Sequence, residues 1–172
     1  MIRRCGASDA DEMFGVINDA ASAYRGVIPA DRWKEPYMPL AELRAEIEAG
    51  VQFWAWVQDG RILGVMGLQH VGEVALIRHA YTRPGQQGTG IGSALLRHLL
   101  SRTDRTVLVG TWKAASWAVR FYQQRNFELV DEGEKAALLR RYWTVPERQI
   151  EESVVLRLNA PRAANPSRGP CP

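Results

Sequence analysis

Cysteine is scarce in this chain: Cys5 and Cys171 are the only two among 172 residues, and neither has a mate at a metal-ligand spacing. That argues against a structural disulfide, and no metal site is expected. Long hydrophobic runs are missing as well. No apolar stretch approaches the ~20 residues of a membrane span, and the opening Met1-Ile2-Arg3-Arg4-Cys5 has no signal-peptide h-region. The expectation is a soluble, cytoplasmic protein with no membrane partner. Clusters of Lys and Arg are absent too. Two of the positive charges, Arg162 and Arg168, lie in the C-terminal stretch, and setting them aside takes the net charge from +3 to +1. A nucleic-acid partner is not expected from such a balance. No internal repeat is present.

What remains is an ordinary globular composition, 46% hydrophobic and 24% charged, with the length of one domain around one core. Ile2 to Cys5 reads as a strand. Ser8-Ala-Asp-Asp11 resembles a capping box before a helix with Met13, Val16, Ile17, Ala20, Ala21 and Tyr24 on one face. A second helix is expected from Leu40 to Ala49, with Leu40, Leu43 and Ile47 inward and Gly50 as its stop. Between the two, Arg25 to Pro39 holds three prolines, Trp33 and Tyr37, too irregular for one element.

Val51 to Gln58, Arg61 to His70 and Glu73 to Thr82 read as an antiparallel meander, its first turn carrying the hairpin signal Asp59-Gly60. Apolar residues at helical spacing follow from Ile91 to Arg102. Thr106 to Thr111 is then a buried strand, which the right-handed crossover rule sets parallel to Glu73–Thr82. A helix from Ala114 to Arg125, a strand Phe127 to Val130, a partly helical excursion Glu132 to Tyr142 and a closing strand Ser153 to Leu158 complete a domain over residues 1–158. Residues 159–172 are rich in Pro and are expected to be a disordered tail. The fold class is mixed α/β, mostly antiparallel, with one parallel pair that can splay at its carboxyl end and take a ligand there.

Between that parallel strand and its crossover helix stands Gln87-Gly88-Thr89-Gly90-Ile91-Gly92-Ser93. Three glycines in five residues let backbone N–H groups turn toward one point, where the helix N-terminus adds partial positive charge. That is an anion seat. It lacks the G-x-G-x-x-G spacing and downstream acid of a dinucleotide site, and the Lys of a P-loop.

Gln87-x-x-Gly90-x-Gly92 resembles the Q/R-x-x-G-x-G/A signature of the GNAT superfamily of acyl-CoA-dependent N-acetyltransferases. Around it, Ala80-Tyr81-Thr82-Arg83-Pro84 and the downstream Arg120-Phe121-Tyr122-Gln123-Gln124-Arg125-Asn126-Phe127 fit the same family's pattern. The resemblance covers about residues 2–158 and implies the acyl-CoA N-acyltransferase fold: a central, mostly antiparallel sheet with one splayed parallel pair, flanked by about four helices. It departs at Asn126, where Gly is usual, and at Ser116, where Asn is common.

The resemblance implies acetyl-CoA as co-substrate, with the N–H groups of Gln87 through Ser93 on the pyrophosphate. Main-chain groups of Ala80, Tyr81 and Thr82 would pair with the pantetheine arm and polarise the thioester carbonyl. Phe121 would pack on the cofactor, with a contact from Ser116. Tyr122 is the expected general acid, donating its phenolic proton to the departing thiolate. His79 is the candidate base. Glu73, six residues earlier, shares its face if strict alternation holds, but sits far from the thioester. Gly110 closes a route that some relatives fill with a Glu, leaving a water-relayed deprotonation plausible.

The acceptor, a primary amine on a small molecule or a peptide, is expected among Tyr24, Trp33, Trp54, Trp56 and Trp112, an aromatic lining suited to a cation or a flat group. Two other readings stay open: a sensor that binds acyl-CoA without chemistry, and a toxin-type enzyme acetylating aminoacyl-tRNA. The Glu132–Ile150 excursion, with Leu138, Leu139, Tyr142 and Trp143, could pack across a homodimer as readily as on its own core.

Overall fold

Extended segments form where alternating apolar positions coincide with β-branched and aromatic residues, because such side chains pack well on a pleated surface. In the computed structural model, which describes residues 1–160, the strands are β1 (Ile2–Arg4), β2 (Gln52–Gln58), β3 (Arg61–Val71), β4 (Val74–Thr82), β5 (Thr106–Trp112), β6 (Glu128–Leu129) and β7 (Ser153–Leu158). The helices are α1 (Ala10–Ala21), α2 (Leu40–Glu48), α3 (Ile91–Leu100), α4 (Ser116–Gln123), α5 (Glu132–Tyr142) and α6 (Glu147–Glu151). Most of the tail expected from residue 159, beginning at residue 161, lies outside the described residues. No helix among the described residues is long and apolar enough to cross a membrane.

One sheet holds all seven strands in the order β1-β2-β3-β4-β5-β7-β6. Every pairing is antiparallel except β4 with β5. Three expectations are corrected. The last strand does not close the sheet; β7 inserts between β5 and β6, leaving the two-residue β6 at the edge. Among the described residues six α-helices, rather than about four, flank the sheet, since the 132–151 excursion folds into α5 and α6. And Ser8 is not a cap: the Asp9 carboxylate accepts the Gly6 N–H at 2.7 Å in a short 3-10 turn that leads into α1.

The period-2 alternation of β4 and β5 divides the core between the faces. Ala75, Ile77, Val107 and Val109 pack with Ile91, Leu95 and Leu99 of α3 and with Tyr122 and Phe127. Val74, Leu76 and Leu108 pack on the other face with Leu139 of α5 and Ile150 of α6. Leu138, Tyr142 and Trp143 join that second cluster, so the excursion covers its own sheet. Along the meander, Phe53, Ala55 and Val65 meet Met13, Ile17 and Leu43 of α1 and α2.

The crossover helix α3 lies close on β3. A Cβ added at Gly64 would come within 2.7 Å of Ile91 Cγ2 and 3.3 Å of the Tyr81 carbonyl oxygen. Overpacking of that kind costs about 1–3 kcal/mol. Gly64→Ala should therefore lower the urea midpoint with an unchanged slope, and an unaltered midpoint would mean that α3 is free to move off the sheet.

Candidate active site

The parallel pairing of β4 with β5 runs from Val74↔Thr106 to Ile77↔Val109 and ends there. Beyond it β4 stays with β3 through Thr82↔Gly64, while β5 follows β7 through Trp112↔Ser153. The two strands thus part, and the edge of β4 from Arg78 onward faces an opening. Ala80, Tyr81 and Thr82, the expected pantetheine partners, lie on that edge.

At the mouth of the opening α3 begins. Gly90 precedes its first turn with φ +90°, a conformation that L residues rarely adopt, and no side chain caps the helix. The first backbone bond of the helix is Ala94 N–H to the Gly90 carbonyl. The N–H groups of Gly90, Ile91, Gly92 and Ser93 have no acceptor among the described residues. Four orphan donors at a helix N-terminus fit the pyrophosphate that the motif implies. The preceding loop is braced by Gln86 N–H to the Arg83 carbonyl and by the Thr89 hydroxyl to the Gln86 carbonyl, and Gln87 and Gly88 lie exposed within it.

Phe121 on α4 packs beneath this turn, its ring 3.4 Å from where a Cβ at Gly92 would stand. Arg125 lies over the same ring, 3.8 Å from its centroid, and donates to the Ser93 hydroxyl. Arg125 was not singled out from sequence. Its place beside Ser93 brings a full positive charge near the orphan N–H groups. Ser116 opens α4 and is exposed.

Tyr122 is buried, its ring edge-on to Phe121 and Phe127 at 5.0 and 5.4 Å. Its hydroxyl is not among the polar atoms that are both sealed and unpartnered. Burial, with Tyr24 nearby, raises its pKa well above the ordinary phenol value, so the proton is present at neutral pH.

On the opposite side of the sheet from α3 lies a cavity of about 700 Å³. The connection between α1 and α2 contributes Tyr24, Trp33 and Tyr37, β5 contributes Thr111 and Trp112, and the turn between α5 and α6 adds Trp143 and Pro146. Trp112 Nε1 donates to the Tyr37 hydroxyl at 2.8 Å, Trp33 stacks on Tyr37, and Tyr24 stacks on Trp117 of α4. Burial pushes the Tyr24, Tyr37 and Tyr81 phenols upward, and their hydroxyls face one another. Gly110 faces Leu139 and Trp143, which occupy the space a larger residue there would enter.

Tyr24, Trp33 and Trp112 therefore come together as expected, whereas Trp54 and Trp56 do not. Alternation along β2 puts both on the α3 face, where Trp54 is 6% exposed and packs in the core with Met66 and Leu68. Trp56 packs against the same cluster. The opposite face of β2 presents Phe53 and Ala55 instead.

His79 also departs from the strict alternation assumed for it. β4 carries one extra residue opposite Met66, where the register shifts between Gly67↔Arg78 and Val65↔Tyr81. His79 takes up this bulge with φ +50°. Two successive side chains, Arg78 and His79, consequently point to the cavity face, and the link with Glu73 is lost. Glu73 lies outside β4, pairing with Arg141 and accepting from the Tyr142 hydroxyl. The bulge brings His79 beside Glu46 of α2, a residue sequence reading passed over. Its signal was present, since Glu46 lies three residues after the inward Leu43.

A family model for the acetyltransferase (GNAT) domain matches residues 12–140. The chain is 26% identical over 131 residues to the Escherichia coli peptidyl-lysine N-acetyltransferase YiaC, covering 76% of this chain and 85% of that one. Among solved structures, the Thermoplasma acidophilum PaiA N-acetyltransferase in complex with coenzyme A aligns with a TM-score of 0.70 at 16% identity, over 92% of this chain and 98% of that one. The Escherichia coli ribosomal-protein-S18-alanine N-acetyltransferase aligns with 0.67 at 14% identity, over 98% and 99%. With the splayed pair, the bulge and the uncapped α3 in place, the family match is decisive: the chain belongs to the GNAT family and is an N-acetyltransferase.

Proposed function

We propose that this enzyme moves the acetyl group of acetyl-CoA directly to a primary amine, with Tyr122 as general acid and His79 as base. The observation that carries this reading is the sheet opening itself. It has an anion seat at one end and a free strand edge along it, with His79 lining the cavity beside β4 and Tyr122 on α4 against Phe121 of the seat. The amine lone pair attacks the thioester carbonyl carbon and a C–N bond forms. Backbone N–H groups of Ala80 to Thr82 stabilise the oxyanion. The C–S bond then breaks, the sulfur takes the electron pair and the Tyr122 proton, and the proton leaving the amine goes to His79.

Direct transfer is supported by the state of Cys5, whose thiol burial pushes up to about 12; it offers no thiolate nucleophile at neutral pH. As acceptor we favour the side chain of a peptide lysine. The similarity to an enzyme named for peptidyl-lysine supports it, and so does the aromatic wall of Tyr24, Trp33 and Tyr37, which suits a cationic chain. Thiol release from acetyl-CoA across a panel of lysine peptides, amino acids and small amines tests it. Tight cofactor binding with no acceptor-dependent release would point to a sensor instead.

Two substitutions separate the donor seat from the chemistry. Tyr122→Phe should lower kcat about 10²-fold with little change in KM for acetyl-CoA, and an unaffected rate would remove Tyr122 from the mechanism. Gly90→Val forces a β-branched residue into φ +90° and should weaken coenzyme A binding by roughly tenfold or more. Calorimetric affinity equal to the parent's would contradict the seat.

A further inference from the structure

The contacts around His79 reach beyond the base itself, into α2. Arg78 Nη2 grips both Glu46 carboxylate oxygens at 2.6 and 2.8 Å, and its Nη1 donates to Gln69 Oε1 at 2.7 Å. Gln69 Nε2 in turn donates to the Ala49 carbonyl at 3.0 Å. The carboxylate is therefore fixed from behind, through a chain anchored on the backbone at the end of α2. On its other side Glu46 Oε2 lies 3.4 Å from His79 Nε2.

The two ring nitrogens of His79 differ. Nε2 is sealed from solvent and has no formed hydrogen bond, whereas the residue itself lines the cavity. The ring is held by stacking on Phe53, centroids 5.9 Å apart, and by the bulge that turns it to this face. A proton on Nε2 would face a fixed carboxylate and leave the free lone pair on Nδ1.

We propose that Glu46 is a positioning residue: its carboxylate holds His79 in the Nε2–H form and stabilises the imidazolium created when Nδ1 takes the proton of the amine. The proposal rests on His79 being the base. Arg78 is the means by which Glu46 stays ionised and aimed. Burial opposes ionisation of Glu46, but His79 and the Arg78 guanidinium outweigh it and hold the carboxyl below its usual range. The carboxylate remains an acceptor throughout, and the proton stays on the ring until solvent removes it.

Other ionisable groups near His79 are compensated among themselves. Glu42, one turn before Glu46, pairs with Lys34 at 2.6 Å. Asp31 at the cavity rim pairs with Arg32 and Arg148. The phenols of Tyr24, Tyr37 and Tyr81 are shifted upward and stay neutral at working pH. Glu46 is thus the one carboxylate within 4 Å of the ring among the described residues.

Glu46→Gln keeps the shape and tests the charge. Arg78 would take the amide oxygen, turning the amide NH2 toward Nε2, which must then accept; the proton moves to Nδ1 and the base is lost. The expected result is a fall in kcat of roughly 10²-fold, an acidic limb of the kcat/KM profile displaced to lower pH, and an unchanged KM for acetyl-CoA. His79→Gln should fall by a similar factor, with no further loss in the double variant. Nitrogen-15 NMR of the parent enzyme should show His79 protonated on Nε2 and bare on Nδ1, a readout that needs no variant to fold and no acceptor to be known. If His79→Gln is impaired while Glu46→Gln matches the parent in rate, pH profile and tautomer, the role of Glu46 is overturned and the base assignment stands. If both variants turn over at the parent rate, the base assignment fails and the inference fails with it. A parent enzyme carrying the His79 proton on Nδ1 would overturn the role of Glu46 alone.

Discussion

The divergence of β4 from β5 after Ile77 and Val109 is the constraint on which the rest of the site depends. Parallel strands share one ladder, and where the ladder ends the backbone groups of both edges need other partners. On their far edges β5 stays with β7 to Trp112 and β4 with β3 to Thr82, and neither strand has a strand partner on the edge that faces the gap. The free edge of β4, together with the N–H groups at the start of α3 that have no acceptor among the described residues, is a row of polar main-chain groups open to a ligand. A ligand with a strand-like amide arm ending in phosphate meets both needs at once.

The bulge at His79 is the second element of the design. In a regular strand Arg78 and His79 would point to opposite faces, and only one could reach α2. With one extra residue opposite Met66, both side chains face the cavity and both approach Glu46. On the proposed reading the sheet separates the two substrates, the donor at α3 and α4 around Gly90 and Phe121 and the acceptor at α2 and the aromatic connection around His79 and Tyr24. Tyr122, on α4 beside Phe121, would serve both.

The geometry of the proposed donor seat was legible in the sequence because it is local. Gln87 to Ser93 is contiguous, and helix geometry alone converts three glycines before an apolar helix into a cluster of free N–H groups. Strand limits were equally readable, β7 being found at Ser153–Leu158 as the pattern indicated. The acceptor half was not, because it is assembled from distant segments. Alternation correctly put Trp54 and Trp56 on one face, but nothing local says which face covers the core. The bulge is a tertiary feature with no residue signature in Arg78-His79-Ala80, so period 2 misplaced His79. Glu46 and Arg125 acquire their meaning only from partners 33 and 32 residues away along the chain, His79 and Ser93.

If the free edge of β4 and the start of α3 hold the donor, their amide groups must change environment when it binds. Nitrogen–proton NMR during a titration with coenzyme A is the direct measurement. The account predicts the largest shifts at the amides of Ala80 to Thr82 and Gly90 to Ser93, with residues at the Trp54 face of the sheet little affected. Shifts concentrated away from those two segments, with Gly90 to Ser93 unmoved at saturation, would contradict it.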